Sequence, residues 1–313
     1  MQNYFTPISF KRWQTDPNGF ADALGRSFRE TGFAIIEDHP IPHDVINHAV
    51  AATKAFFALP EPTKVKYFDK QGGGQRGYTP FKTENAKNAE APDLKEFWHT
   101  GRALAPDSPH RHLMKPTPSV SEIESFDPAM AAFYNALDEC GRTLLRAIAL
   151  HLDLSADWFD DKVQYGNSIL RLLHYPPQVA PPAKGSVRAG AHEDINVITL
   201  LLGAEEAGLE VLHASGQWLA VNPPANAIVI NCGDMLQRLT AGLLPSTTHR
   251  VVNPKPERAQ YPRYSTPFFL HFNHDALIEA LPQCVAEGGR AEPPIHANDY
   301  LLERLREIGL IKL

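Results

Sequence analysis

Cysteine is scarce in this sequence. Its 313 residues hold three, Cys140, Cys232 and Cys284, widely separated and odd in number. With no C-x-x-C pair, neither a disulfide framework nor a cysteine-based zinc site is expected, and the pattern fits a reducing, cytoplasmic setting. Long hydrophobic runs are missing too. Stretches such as Ile228-Val229-Ile230 and Leu200 to Leu202 are far too short to cross a bilayer. The opening residues, Met1 to Trp13, contain no apolar core of a secretory signal, so none is expected. Positive charge is not in excess: the net charge is -6, which gives no electrostatic case for nucleic acid or an anionic membrane surface. The expected partner is a small molecule, held by a few placed cations, and the expected state is a monomer or weak homo-oligomer. Internal repeats and low-complexity tracts are absent as well.

What is present is ordinary globular material. Hydrophobic residues make up 43% and charged residues 21%, enough apolar chain for a substantial core and too little charge for disorder. The first half reads as helical. Asp16 can cap a helix to about Glu30, with Phe20, Leu24 and Phe28 at four-residue spacing. Gly32 to Glu37 reads as a short buried strand, and Pro42 opens a second helix that Pro60 stops. Residues 121–152 carry the longest helical pattern, through Phe133, Leu137, Leu144, Leu145, Ile148 and Leu152.

After Gly166 the character changes. Short β-like runs follow at 168–175, 196–202, 208–213, 217–221, 227–232, 247–252 and 263–272, separated by Gly203, Gly208, Ser215-Gly216 and Pro223-Pro224. Closely spaced short strands indicate a sandwich, barrel or jelly roll. Residues 297–308 return to helix. The order predicts a mainly β protein with flanking α-helices: a helical N-terminal cover over 1–165, a β core over 166–275 and a C-terminal helical segment over 276–313, all in one unit.

The candidate chemistry begins at Ala191-His192-Glu193-Asp194. In extended chain, residues i and i+2 project to the same side, so His192 and Asp194 can meet one ion while Glu193 points away. His249, 55 residues beyond Asp194, can supply a third ligand from the start of a β-like run. Two histidines and one carboxylate on one face leave three octahedral positions open, the donor set that suits Fe(II). Zinc more often takes a tetrahedral site with one open position. His271 to Asp275 competes on spacing alone, whereas His110 and His112 lie in a proline-rich loop. Arg263 and Ser265 share one strand face and can offer a planar fork and a hydroxyl to a carboxylate. The Tyr175 hydroxyl can join them.

Several further segments, taken in order, carry a resemblance: Gly32-Phe33 with Asp38-His39; Ala55-Phe56-Phe57 with Pro60 and Lys64; Gly77-Tyr78; and Asp93-Leu94-Lys95-Glu96. His192-Glu193-Asp194, Gly233-Asp234-Met235-Leu236, His249-Arg250-Val251 and Arg263-Tyr264-Ser265 follow at matching spacing. The set resembles the isopenicillin N synthase-like branch of the Fe(II)/2-oxoglutarate-dependent dioxygenases. The resemblance implies a double-stranded β-helix (jelly-roll) core and Fe(II) held by His192, Asp194 and His249. It further implies 2-oxoglutarate held by Arg263 and Ser265 with Tyr175 assisting, and dioxygen as oxidant. Two positions depart from the pattern: Leu173 stands where plant-type members often have asparagine, and so does Ala241.

The implied reaction couples oxidative decarboxylation of 2-oxoglutarate to hydroxylation, desaturation or ring formation on a small organic metabolite. Residues expected to line the substrate pocket are Tyr78, Phe97, Arg171, Leu173, Asn196, Phe269 and His271. Phe269 and His271 share a face with Arg263 if Pro267 does not disturb the strand register. Two other readings are a 2-oxoglutarate-independent Fe(II) oxidase of the same fold and a non-catalytic protein that binds metal and 2-oxoglutarate. Dependence of turnover on added 2-oxoglutarate separates them.

Overall fold

The computed structural model describes residues 4–70, 74–83, 93–178, 187–202 and 208–307. Local signals in the sequence set the helices. The Asp16 carboxylate accepts from Gly19 N at 2.9 Å and caps the helix Pro17–Thr31, which opens on proline and ends at Gly32 with φ +72°. Phe20, Leu24 and Phe28 on that helix are fully buried, in one core with Phe133, Leu137, Leu144 and Ile148 of the long helix Phe126–His151. Pro42 precedes the helix His43–Phe57, which also packs on the long helix.

The strands, in chain order, are β1 (Ile8–Ser9), β2 (Phe33–Glu37), β3 (Gly77–Thr79), β4 (Glu96–Gly101), β5 (Ile169–Tyr175), β6 (Ala189–His192), β7 (Ile198–Leu202) and β8 (Leu209–Leu212). They continue as β9 (Trp218–Ala220), β10 (Ile228–Cys232), β11 (His249–Val251), β12 (Arg263–Ser265), β13 (Pro267–Leu270), β14 (Leu277–Ile278) and β15 (Ile295–His296). A main sheet runs β1-β2-β10-β7-β13-β5-β4-β3, with β12 also on β5. A smaller sheet runs β6-β11-β8-β9, and β14 pairs with β15.

Period-two alternation divides the main sheet into two faces. Ala34, Ile36, Leu170, Leu172, Ile198, Leu200, Ile228 and Ile230 pack with the helices. Phe33, Ile35 and Val229 turn the other way and pack with Leu209 and Val211 of the smaller sheet. The two sheets therefore face each other, and the fold is a jelly roll with helices covering the outer face of the main sheet.

Two expectations change. The N-terminal region is more than a helical cover, because β1 to β4 all enter the main sheet. Every residue of β4 is buried, so the strand lacks the polar–apolar alternation that marks a half-exposed strand in sequence. The expected run 263–272 divides at Thr266 into β12 and β13, yet its register against β5 is continuous. Arg263 faces Tyr175, Ser265 faces Leu173 and Phe269 faces Ile169. Pro267 leaves the pairing frame intact, so Phe269 shares a face with Arg263 and Ser265.

Candidate metal centre and co-substrate pocket

His192 ends β6, His249 begins β11, and the two residues sit opposite each other across the smaller sheet. Asp194 follows two residues later, where the chain leaves β6 for β7. One donor atom from each of the three lies within 4.8 Å of the others, and no other such group forms among the described residues. Asp194 Oδ1 stands 3.8 Å from His192 Nε2 and 3.9 Å from His249 Nε2. Two donors on one ion lie at most about 4.2 Å apart when each bond is about 2.1 Å, and both carboxylate–imidazole separations lie within that reach. The competing cluster at His271 to Asp275 does not converge in this way.

Each ligand is oriented from behind. Thr199 Oγ1 and Asn231 Nδ2 donate to Asp194 Oδ2 at 2.6 and 2.8 Å, leaving Oδ1 for the histidines. Asn196 Nδ2 donates in turn to Thr199 Oγ1 at 2.9 Å. The backbone here lies on the start of the helix Asp234–Leu239, where Asp234 N donates to Asp194 O and Met235 N to Asn196 O. A Cβ at Gly233 would stand 2.1 Å from Asn196 O, which explains the glycine before Asp234. His192 Nδ1 donates to Gly190 O at 2.8 Å and His249 Nδ1 to Thr247 O at 3.1 Å. A carbonyl only accepts, so both rings carry hydrogen at Nδ1 and present the Nε2 lone pair inward. Glu193 accepts from Thr248 Oγ1 at 2.7 Å and faces away, as the i, i+2 argument requires.

The electrostatics suit a cation. Desolvation, and then His249, push the His192 imidazole down to about 4, so it is neutral at ordinary pH. Burial alone would raise the Asp194 carboxyl; the two histidines, with Thr199 and Asn231, outweigh it and hold the group below its usual range.

On the same inner face, Arg263 and Ser265 are buried on β12 beside Tyr175. The Arg263 guanidinium lies 5.1 Å from the Tyr175 ring centre. Arg188, fully buried, lies 5.8 Å from the same ring. Further along, the Arg171 guanidinium lies 4.5 Å from the Phe97 ring and 5.3 Å from that of Phe269. Its Nε donates to His99 Nε2 at 2.6 Å, while His99 Nδ1 donates to Gly74 O at 2.7 Å. Leu173 packs between Phe97 and Tyr175. His271, next on this face after Phe269, is buried, and burial pushes its imidazole down to about 4.

Tyr78 and Asn196 fall elsewhere than expected. Tyr78 pairs with Trp98 on the helix-covered face, packs on Phe56 and donates its hydroxyl to Glu96. An aromatic next to a glycine gives no sign of which face it takes. Asn196 is a buried brace for Thr199 rather than a wall of the cavity. Thr199, Asn231, His99 and Arg188 join the site without having been expected there. A signal existed for two of them: Thr199 and Asn231 are polar interruptions in the apolar runs Ile198–Leu202 and Ile228–Cys232.

Comparison with known proteins agrees with this geometry. Residues 7–122 match the family described as non-haem dioxygenase in morphine synthesis N-terminal, and residues 166–272 match the 2OG-Fe(II) oxygenase superfamily. The 2-oxoglutarate-Fe(II) type oxidoreductase hxnY of Emericella nidulans is 34% identical, over 86% of this chain and 79% of its own length. A crystal structure assigned to the 2OG-Fe(II) oxygenase family, from Caulobacter crescentus, is 51% identical with a TM-score of 0.91, covering 98% of this chain and all of that one. A full-length Neurospora crassa protein, solved in complex with alpha-KG and thymine, is 32% identical with a TM-score of 0.84, covering 96% of each chain.

Proposed function

The chain belongs to the 2OG-Fe(II) oxygenase superfamily, and from that premise we propose how its residues divide the work and what kind of molecule they oxidise. It is an Fe(II)- and 2-oxoglutarate-dependent oxygenase, coupling decarboxylation of 2-oxoglutarate to oxidation of a small organic molecule. The residue assignment rests on one observation, the meeting of the His192, Asp194 and His249 donors within 4.8 Å. In this reading the three hold the metal, and bound iron supplies the activation of dioxygen. Two imidazole ligands and one carboxylate contribute a single negative charge, keeping the centre cationic toward an incoming keto acid.

Arg263 and Ser265 take the far carboxylate of 2-oxoglutarate, since a planar fork and a hydroxyl from one strand face form charge-assisted bonds of fixed direction. Tyr175 walls that pocket, and Arg188 adds a second buried cation beside it. The organic substrate lies against Arg171, Phe97 and Phe269. Phe269 sits opposite Thr199, which holds Asp194, and Arg171 is one strand further and two residues along. Strand spacing puts Arg171 about 12 Å from Thr199, room for one small ring. An arginine between two phenyl faces suits a flat ring carrying carboxylate or carbonyl oxygens. The thymine and 5-formyluracil complexes of the Neurospora relative support that class. Unpaired buried cysteines support a cytoplasmic setting, and among the described residues no helix is long and apolar enough to cross a membrane.

The test is succinate release by the Fe(II)-loaded protein, screened against flat carboxylates and oxo-heterocycles. His192→Ala is expected to abolish it, and survival of substrate-linked succinate would overturn the ligand assignment. Arg171→Gln is expected to raise KM for the organic substrate and leave KM for 2-oxoglutarate unchanged. An equal rise in both would overturn the placement of the substrate.

A further inference from the structure

The two histidines use one device with unequal support. Each donates Nδ1–H to the carbonyl two residues earlier, Gly190 for His192 and Thr247 for His249. The Thr247 segment is packed from behind: a Cβ at Gly32 would stand 2.5 Å from Pro245 O and 2.3 Å from Thr247 Oγ1, and the Phe33 ring meets His249 at 5.4 Å. Gly190 lies on β6, the edge strand of the smaller sheet, whose pairing with β11 is irregular between His192 and Ala189.

What reaches Gly190 from the open edge is the segment before β4. Leu94 N donates to Val187 O at 3.3 Å, and Gly190 N donates to Asp93 Oδ1 at 3.2 Å. The second oxygen of Asp93 accepts from Lys95 Nζ at 2.9 Å, and both side chains are buried. A buried carboxylate is costly unless paired, and among the described residues this one is divided between a cation and a peptide N–H. Gly190 thus has its N–H on Asp93 and its carbonyl on His192.

We propose that Asp93, neutralised by Lys95, is a positioning residue for His192: it holds Gly190 by its N–H, and the carbonyl of that same residue fixes the imidazole tautomer and direction toward the metal. This inference rests on the reading of His192 as a metal ligand. Groups bonded directly to a ligand typically change metal affinity by about 10–100-fold, and Asp93 acts one residue further back, through Gly190.

The experiment is a Co(II) titration of the metal-free, full-length protein, with circular dichroism to confirm folding. His192→Ala is expected to lose Co(II) binding. Asp93→Ala is expected to stay folded and bind Co(II) about tenfold more weakly, the low end of that range. In Asp93→Asn/Lys95→Met, the amide oxygen still accepts from Gly190 N and the cation it cannot neutralise is gone; affinity should return to within about threefold of wild type. A folded Asp93→Ala protein with unchanged affinity, beside a dead His192→Ala, overturns this inference alone. Undiminished Co(II) binding by His192→Ala overturns the ligand assignment beneath it. Should Asp93→Ala fail to fold, the double variant decides, and a folded double variant as weak as His192→Ala counts against the proposal. A merely structural role would lower the melting midpoint without moving the Co(II) affinity of the folded protein.

Discussion

On one side of the metal centre, Asp194 and His249 are enclosed, at 7% and 10% side-chain exposure; on the other, His192 ends an edge strand with 41% of its side chain open. The enclosed pair is held by the main sheet itself. Thr199 and Asn231, one from each of two central strands, fasten Asp194, and Phe33 backs His249. His192 is held by a carbonyl and, behind it, a buried ion pair from another segment. The difference teaches how the site is divided between rigidity and access. Packing fixes the inner ligands, while the outer one, partly exposed at the end of an edge strand, is held by hydrogen bonds instead.

The largest test of that contrast removes the ligands one at a time. All three alanine variants should lose turnover by about 10³-fold or more, since the metal is worth several kcal/mol of transition-state stabilisation. Stability should separate them. Asp194→Ala leaves Thr199 and Asn231 with buried donors unmet, at about 1–3 kcal/mol, whereas metal-free His192→Ala should unfold at the same urea concentration as wild type. Equal destabilisation by both would break the comparison.

Next in size is the clamp. Arg263→Lys keeps the charge on the buried face and removes the planar fork. A charge-assisted bond is worth about 1.5–3 kcal/mol, so KM for 2-oxoglutarate should rise about 10–100-fold with Fe(II) affinity unchanged. A shift in Fe(II) affinity instead would place Arg263 with the inner ligands.

A third test uses acid. His271 belongs to the enclosed side; burial holds its imidazole at about 4 against the usual 6.5, with Asp194 pulling upward and His274 and Arg76 downward. The unfolded chain therefore takes up a proton between about pH 6.5 and 4 that the folded chain refuses. Stability is full above that window and falls as pH drops through it, by about 2 kcal/mol at pH 5. Urea unfolding of the metal-free protein should show the slope, and His271→Gln should remove its share of it, leaving the part that His192 contributes over the same window.

These contrasts were unevenly legible in the sequence. The shared side of His192 and Asp194 was readable because i, i+2 spacing in extended chain is a local rule, and that of Arg263 and Ser265 for the same reason. Which aromatic shares the face of Arg263 and Ser265 was not, because Tyr78 and Phe97 sit on neighbouring strands buried on both faces, and only the pairing of Tyr78 with Trp98 and of Phe97 with Leu173 shows which way each turns. The departure at Ala241 was visible as composition, but its meaning lies in the backbone: φ is +51°, a left-handed conformation that asparagine tolerates better than alanine. The Asp93 pin joins segments 97 residues apart, beyond any local pattern.

The smallest effect is the sharpest probe of how the enclosed side works. Thr199→Val keeps the shape and removes the hydroxyl that donates to Asp194 and accepts from Asn196. Asn231 still holds the same Asp194 oxygen, so the carboxylate is loosened rather than released. Co(II) affinity should fall about tenfold, the low end for a group one bond from a ligand. Thr248→Val is the counterpart on the solvent side: it breaks the bond to Glu193, an exposed pair that touches no donor, and should change affinity less than about twofold. If the two variants behave alike, the bracing of Asp194 through Thr199 is dispensable and burial alone holds the inner ligands.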